Sequence, residues 1–161
     1  MYMSVVNGSF TQVGDSIASA QWDEARDNGA QAPLGIATLG QGAAQLGFLV
    51  TSGVLSGAGV LGCTAVSLPP TGWALRLDEV AFPVGAIAHR HTHSGGGWRH
   101  LVSGSLRIEA EHDTSVMNAG DSWFEPAHIP VRAVALQGLG VTRFVRCMVI
   151  PLADVDRKSV V

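Results

Sequence analysis

A chain of 161 residues suits one domain with room for an appendage. Hydrophobic residues make up 47% of it and charged residues only 14%, against about 25% in an average soluble domain, so there is material for a substantial core. A net charge of −3 without clustered lysine and arginine argues against nucleic acid as a partner.

Residues 1–14 read as a loose terminus or an arm strand, and they lack the basic-then-apolar order of a signal peptide. Asp15 and Ser16 predict the cap of a short helix running to about Arg26, with Ala18 and Trp22 on its apolar side. Asp27-Asn28-Gly29 stops it. From Leu34 the pattern changes to short apolar runs divided by glycine, at 34–39, 46–51, 54–55 and 60–68. Gln41, Gln45 and repeated glycines interrupt this stretch, which predicts consecutive buried strands and no membrane span. Pro69-Pro70-Thr71-Gly72 is a turn. Strands are then expected at 73–80, 86–93, 98–103, 105–111, 114–117, 122–125, 131–136 and 141–149. Turn residues separate them at the spacing of an all-β sandwich or barrel. Residues 152–161 read as a frayed tail. The 20 glycines and 7 prolines favour this reading over long helices. Cys63 and Cys147 belong to no CxxC pair and are expected as buried thiols of a cytoplasmic protein.

Chemistry concentrates at His89-Arg90-His91-Thr92-His93, with His100 close behind. A strand turns alternate side chains to one face, so the three imidazoles of His89, His91 and His93 are expected on one side. Imidazole is the commonest protein ligand of transition metals and moves protons near neutral pH. A polar, solvated stripe on a sheet edge is the bland alternative. His100 and His112 are expected at the surface or behind the site, and Asp121, after Gly120, as a turn residue.

Gly85 is followed by five residues and then His91-Thr92-His93, and the frame continues through Gly97 to Gly104. Gly120, five residues and Pro126 follow later. Residues 68–150 thereby resemble the cupin family, whose members are jelly-roll β-barrels. In that pattern a glutamate would stand at Gly97, a second glycine at His128, a histidine at Val131 and an asparagine at Ala135. The resemblance implies an all-β, cupin-type jelly-roll barrel, expected over 34–151, with the short N-terminal helix or arm read above occupying 1–33 and the tail 152–161. It also implies a small-molecule ligand, a homodimer, and one divalent metal ion, whether iron, nickel, zinc, copper or manganese, with no organic cofactor.

Of the family's ligands only His91 and His93 carry over. Glu125 would complete a two-histidine, one-carboxylate set, with His128 near it on the turn. His89 is the other completion, although strand residues four apart lie about 13 Å apart unless the strand bulges. The remaining possibility is no catalytic metal, with His91, His93 and Glu125 as acid–base groups and Arg99 binding an anionic or enolate oxygen. Trp98 and Trp123 are candidates to line a flat pocket. Gly97, in place of a glutamate, is expected to leave room, and the glycines at 95–97 to form a pliant loop. The functional expectation is an isomerase, cyclase, dehydratase or oxygenase acting on a small organic molecule. A non-catalytic binding module that has lost its metal is the alternative.

Overall fold

The computed structural model describes residues 1–13, 16–21, 33–39, 44–136, 138 and 140–156, and the chain divides into two units, Met1–Leu68 and Pro69–Val161. Among the described residues no helix is long and apolar enough to cross a membrane.

The first unit is an antiparallel sheet of β1 (Tyr2–Val13), β2 (Ser16–Gln21), β3 (Leu34–Leu39), β4 (Ala44–Thr51) and β5 (Val60–Ala65). The order is β2-β1-β4-β3, and β5 pairs with the other edge of β1. The expected helix is corrected here. Ser16–Gln21 is a strand, because pairing with Ser9–Val13 of β1 overrides the weak helical preference of a short run of small residues. The rest of that segment, Trp22 included, lies outside the described residues. The apolar segment from Leu34, expected to open the barrel, instead joins β1 through β4 and β5. Met3, Val5, Val6, Phe48 and Leu49 are fully buried there.

The second unit carries β6 (Trp73–Phe82), β7 (Ile87–His91), β8 (Gly97–Ser103), β9 (Ser105–Glu109), β10 (Thr114–Asn118), β11 (Ser122–Glu125), β12 (Val131–Ala135) and β13 (Thr142–Pro151). They form two four-stranded antiparallel sheets, ordered β10-β9-β12-β7 and β11-β8-β13-β6. This strand order is that of an eight-stranded jelly roll. Each expected strand from residue 73 onward is present.

Turn chemistry fixes the corners. Gly104 alone joins β8 to β9 at φ +80°, and a Cβ there would lie 2.3 Å from Thr142 Oγ1. Asp121 is the expected turn residue: its carboxylate accepts a hydrogen bond from the Asn118 backbone N–H at 2.7 Å. Phe82, Leu101, Leu106, Trp123 and Phe144 fill the space within this unit, with the Trp123 and Phe144 rings 5.5 Å apart.

Candidate functional site

A bulge decides which histidines point inward. In the β7–β12 ladder Val131 faces His91 and Ala133 faces Ala88, so His89 and Arg90 together oppose Arg132. The extra residue breaks the alternation. Ala88 and His91 both face the interior, and His89 is exposed. The three-histidine face expected from spacing is therefore corrected to two, His91 and His93, whose rings meet edge-on at 4.8 Å. His91 Nδ1 lies 2.6 Å from the His89 carbonyl oxygen, which orients the ring.

The opposite wall comes from β8, β11 and β13. Trp123, Arg99, Arg146 and Asp78 stand in cross-strand register in that order, and the first three line the cavity. Arg99 points inward, as its parity with Gly97 requires, and is 1% exposed. It donates to the Gly97 carbonyl and, at 2.8 Å, to Glu125 Oε2. His93 Nε2 lies 3.3 Å from the same carboxylate oxygen. Trp123 Nε1 donates to Glu125 Oε1 at 2.9 Å. Glu125 is thus the hub of a buried cluster.

Several expectations resolve differently. Trp98 does not line the cavity, because strand parity puts it with Phe124 and Cys147 on the other face of its sheet. His100 is buried, not superficial, with Nδ1 2.8 Å from Ser122 Oγ, and burial lowers its pKa. His112 is exposed. The His128 side chain is also exposed, but its backbone N–H donates to the His93 carbonyl at 2.8 Å, so it holds His93 in place from the left-handed region at φ +63°. Gly97 leaves no room: a Cβ there would lie 2.1 Å from the Cys147 carbonyl oxygen, and one at Gly95 would lie 1.8 Å from that of Val149. These glycines exist so that β8 and the loop before it can press against β13. Sequence reasoning missed Arg146, which pairs with Asp78, although its parity with the inward Phe144 would have placed it.

The inner cavity, where His91, His93, Arg99, Glu125 and Arg146 interrupt a wall otherwise made of apolar residues such as Phe82, Leu106 and Phe144, holds about 40 Å³. That is space for roughly three waters. A larger recess of about 280 Å³ shares Ile108, Trp123, Glu125 and Val131 with it and adds Met117, Phe124 and Ile129.

Electrostatics keep the cluster charged. Burial pushes the Glu125 carboxyl up, but the Arg99 charge and the hydrogen bonds from His93 and Trp123 outweigh it and hold the pKa at about 2, below its ordinary 4.5. Burial lowers Arg99 to about 10, so it remains a cation at neutral pH. Burial also lowers His93 below 6.5, with the Glu125 hydrogen bond opposing, so its imidazole is neutral at pH 7. Both shifts have one sign for stability. Between 6.5 and the folded value of His93, and between 4.5 and about 2 for Glu125, the unfolded chain binds more protons than the folded one. The urea midpoint followed by tryptophan fluorescence should hold steady above about pH 7 and fall continuously on acidification. A midpoint that rises in acid would contradict this cluster.

Residues 78–137 match the family model described as Cupin domain. These residues form a cupin domain. No curated protein matches the chain in sequence. Among solved structures, an RmlC-like cupin from Shewanella frigidimarina is 24% identical with a TM-score of 0.44, over 50% of this chain and 69% of that one. A cupin superfamily protein from Desulfitobacterium hafniense is 14% identical with a TM-score of 0.44, over 55% of this chain and 75% of that one. KdgF from Halomonas sp. is 24% identical with a TM-score of 0.40, over 50% and 72%.

The metal that a cupin domain implies would require His91, His93 and Glu125 to turn donor atoms on one point. Among the described residues no three His, Cys, Asp or Glu side chains do so. Both Glu125 oxygens are engaged, and the cation at 2.8 Å is the Arg99 guanidinium. A divalent ion at this carboxylate would meet that fixed positive charge. As arranged, the cupin cavity does not fit one.

Proposed function

We propose that the cupin cavity carries out proton transfer on a small organic molecule, with His93 as the group that takes and returns the proton. The observation that carries this reading is the His93–Glu125 contact, 3.3 Å between Nε2 and Oε2, at a cavity wall. An ionised carboxylate against an imidazole orients the ring and stabilises the imidazolium that proton uptake creates. Arg99 keeps that carboxylate ionised and fixed. Its remaining donors suit a developing enolate or other anionic oxygen. The reactive end of the molecule enters the small inner cavity, where His93, Arg99 and Glu125 interrupt a largely apolar wall, while its bulk occupies the wider recess beside Trp123, Met117 and Ile129.

The test uses carbon-acid probes. Small β-keto acids and 1,3-diketones are incubated with the protein in D₂O, and loss of the acidic C–H signal is followed by NMR. Exchange is expected above the protein-free rate, and His93→Ala should reduce it by roughly 10²–10⁴-fold. The fall of the rate on acidification should be displaced to lower pH than that of a free imidazole, because burial lowers the His93 pKa. Saturable binding without any exchange would favour the second reading, a non-catalytic binding module. The full engagement of the Glu125 oxygens supports that alternative.

A further inference from the structure

We infer that Arg99 replaces the metal ion in this cavity and masks a latent two-histidine, one-carboxylate site. Three observations converge on it. His91 and His93, the two histidines of the family pattern, both face the cavity, with their rings 4.8 Å apart. Glu125, from a different strand, brings its carboxylate to His93. That set suits iron-, nickel- or cobalt-type ions when its carboxylate is free. Here it is not free. Arg99 is held from below by the Gly97 carbonyl, lies 3.6 Å from Met148 Sδ, and has its guanidinium on Glu125 Oε2.

The position of Arg99 also has a cause in the chain. At Gly97 the family pattern would supply a glutamate, and here the backbone of β13 occupies the space where its Cβ would stand. The carboxylate has moved to Glu125, and the positive charge that answers it is covalently part of the chain. Such a cation cannot be removed by a chelator and does not depend on metal supply. It cannot change valence or release a coordinated water, so the chemistry left to the cavity is that of a fixed charge beside an imidazole.

The test reads metal binding alone and is independent of any turnover. Protein stripped with a chelator is titrated with Co(II), following visible absorption, metal content after desalting and the thermal midpoint. The wild-type chain is expected to retain well below one equivalent, with no shift of the midpoint. Arg99→Met releases Glu125 and should bind Co(II) at least about 100-fold more tightly, because the opposing charge is gone. Its midpoint should rise with the metal, and His93→Ala in the same background should abolish both effects. One equivalent bound tightly by the wild type and lost in a His91→Ala/His93→Ala double variant would overturn the inference. So would an Arg99→Met protein with native circular dichroism and no gain in affinity. If Arg99→Met does not fold, Arg99→Gln, which removes the charge and keeps hydrogen-bonding groups, takes its place, and a folded Arg99→Gln protein with no gain in affinity overturns the inference.

Discussion

Glu125→Leu is expected to destabilise the cupin unit by about 3–5 kcal/mol, the cost of leaving a buried charge without its partner. The charge in question is Arg99, which is 1% exposed and holds its proton up to about pH 10. It therefore has no escape by deprotonation at neutral pH, and β8 gives it no path to solvent. The loss is a large part of the roughly 5–15 kcal/mol that stabilises a typical domain. The decisive control is Glu125→Leu combined with Arg99→Met, which removes both charges at nearly constant volume. Replacing a whole buried pair by apolar groups is often neutral or stabilising, so the double variant should recover most of the loss. Urea unfolding followed by tryptophan fluorescence measures both. Equal destabilisation of the single and double variants would mean that packing, and not charge pairing, sets the cost.

The second large effect concerns an attempted repair. Gly97→Glu restores the residue that the family pattern places beside the two histidines. It is expected to prevent folding or to cost at least about 3 kcal/mol, at the upper end of overpacking penalties. Its Cβ would lie 2.1 Å from the Cys147 carbonyl oxygen and 2.7 Å from Met148 Cα, both backbone atoms of a central strand. Flexible side chains could move aside; paired strands cannot do so without losing the β8–β13 ladder. Gly97→Ala should show much of the same loss, since the clash begins at Cβ. Circular dichroism and the urea midpoint read both variants. A stable Gly97→Glu protein would show that the two strands separate far more readily than this packing implies.

The barrel was legible because its strands are short, alternating and punctuated by turn residues, as at Gly104 and Gly120-Asp121. The N-terminal third was less so. Ser16–Gln21 has the small residues of a weak helix, and only the partner strand Ser9–Val13 decides otherwise. Within the site, strand parity with Gly97 offered an inward Arg99 but left an outward, solvated one equally open, and the structure buries it. Parity failed at His89, because a bulge is a property of two strands and leaves no mark in one. The ring of partners around Glu125 was equally hidden: residues 93, 99, 123 and 125 meet only after three chain segments have come together. Gly97 misled for a related reason. A missing side chain reads as space in a sequence, whereas here a neighbouring backbone fills it.

The row Trp123–Arg99–Arg146–Asp78 takes one residue from each strand of its sheet. If β11 slid along β8 by one residue, every side chain of β11 would change faces. Glu125 would leave the interior, and Arg99 would be enclosed with its counter-charge on the far side of the sheet. A misaligned sheet made only of valine and leucine would lose some packing yet still persist. Here a misaligned sheet would leave the Arg99 cation enclosed without its carboxylate, so the energetic cost of a one-residue slip is set by that charge as well as by packing.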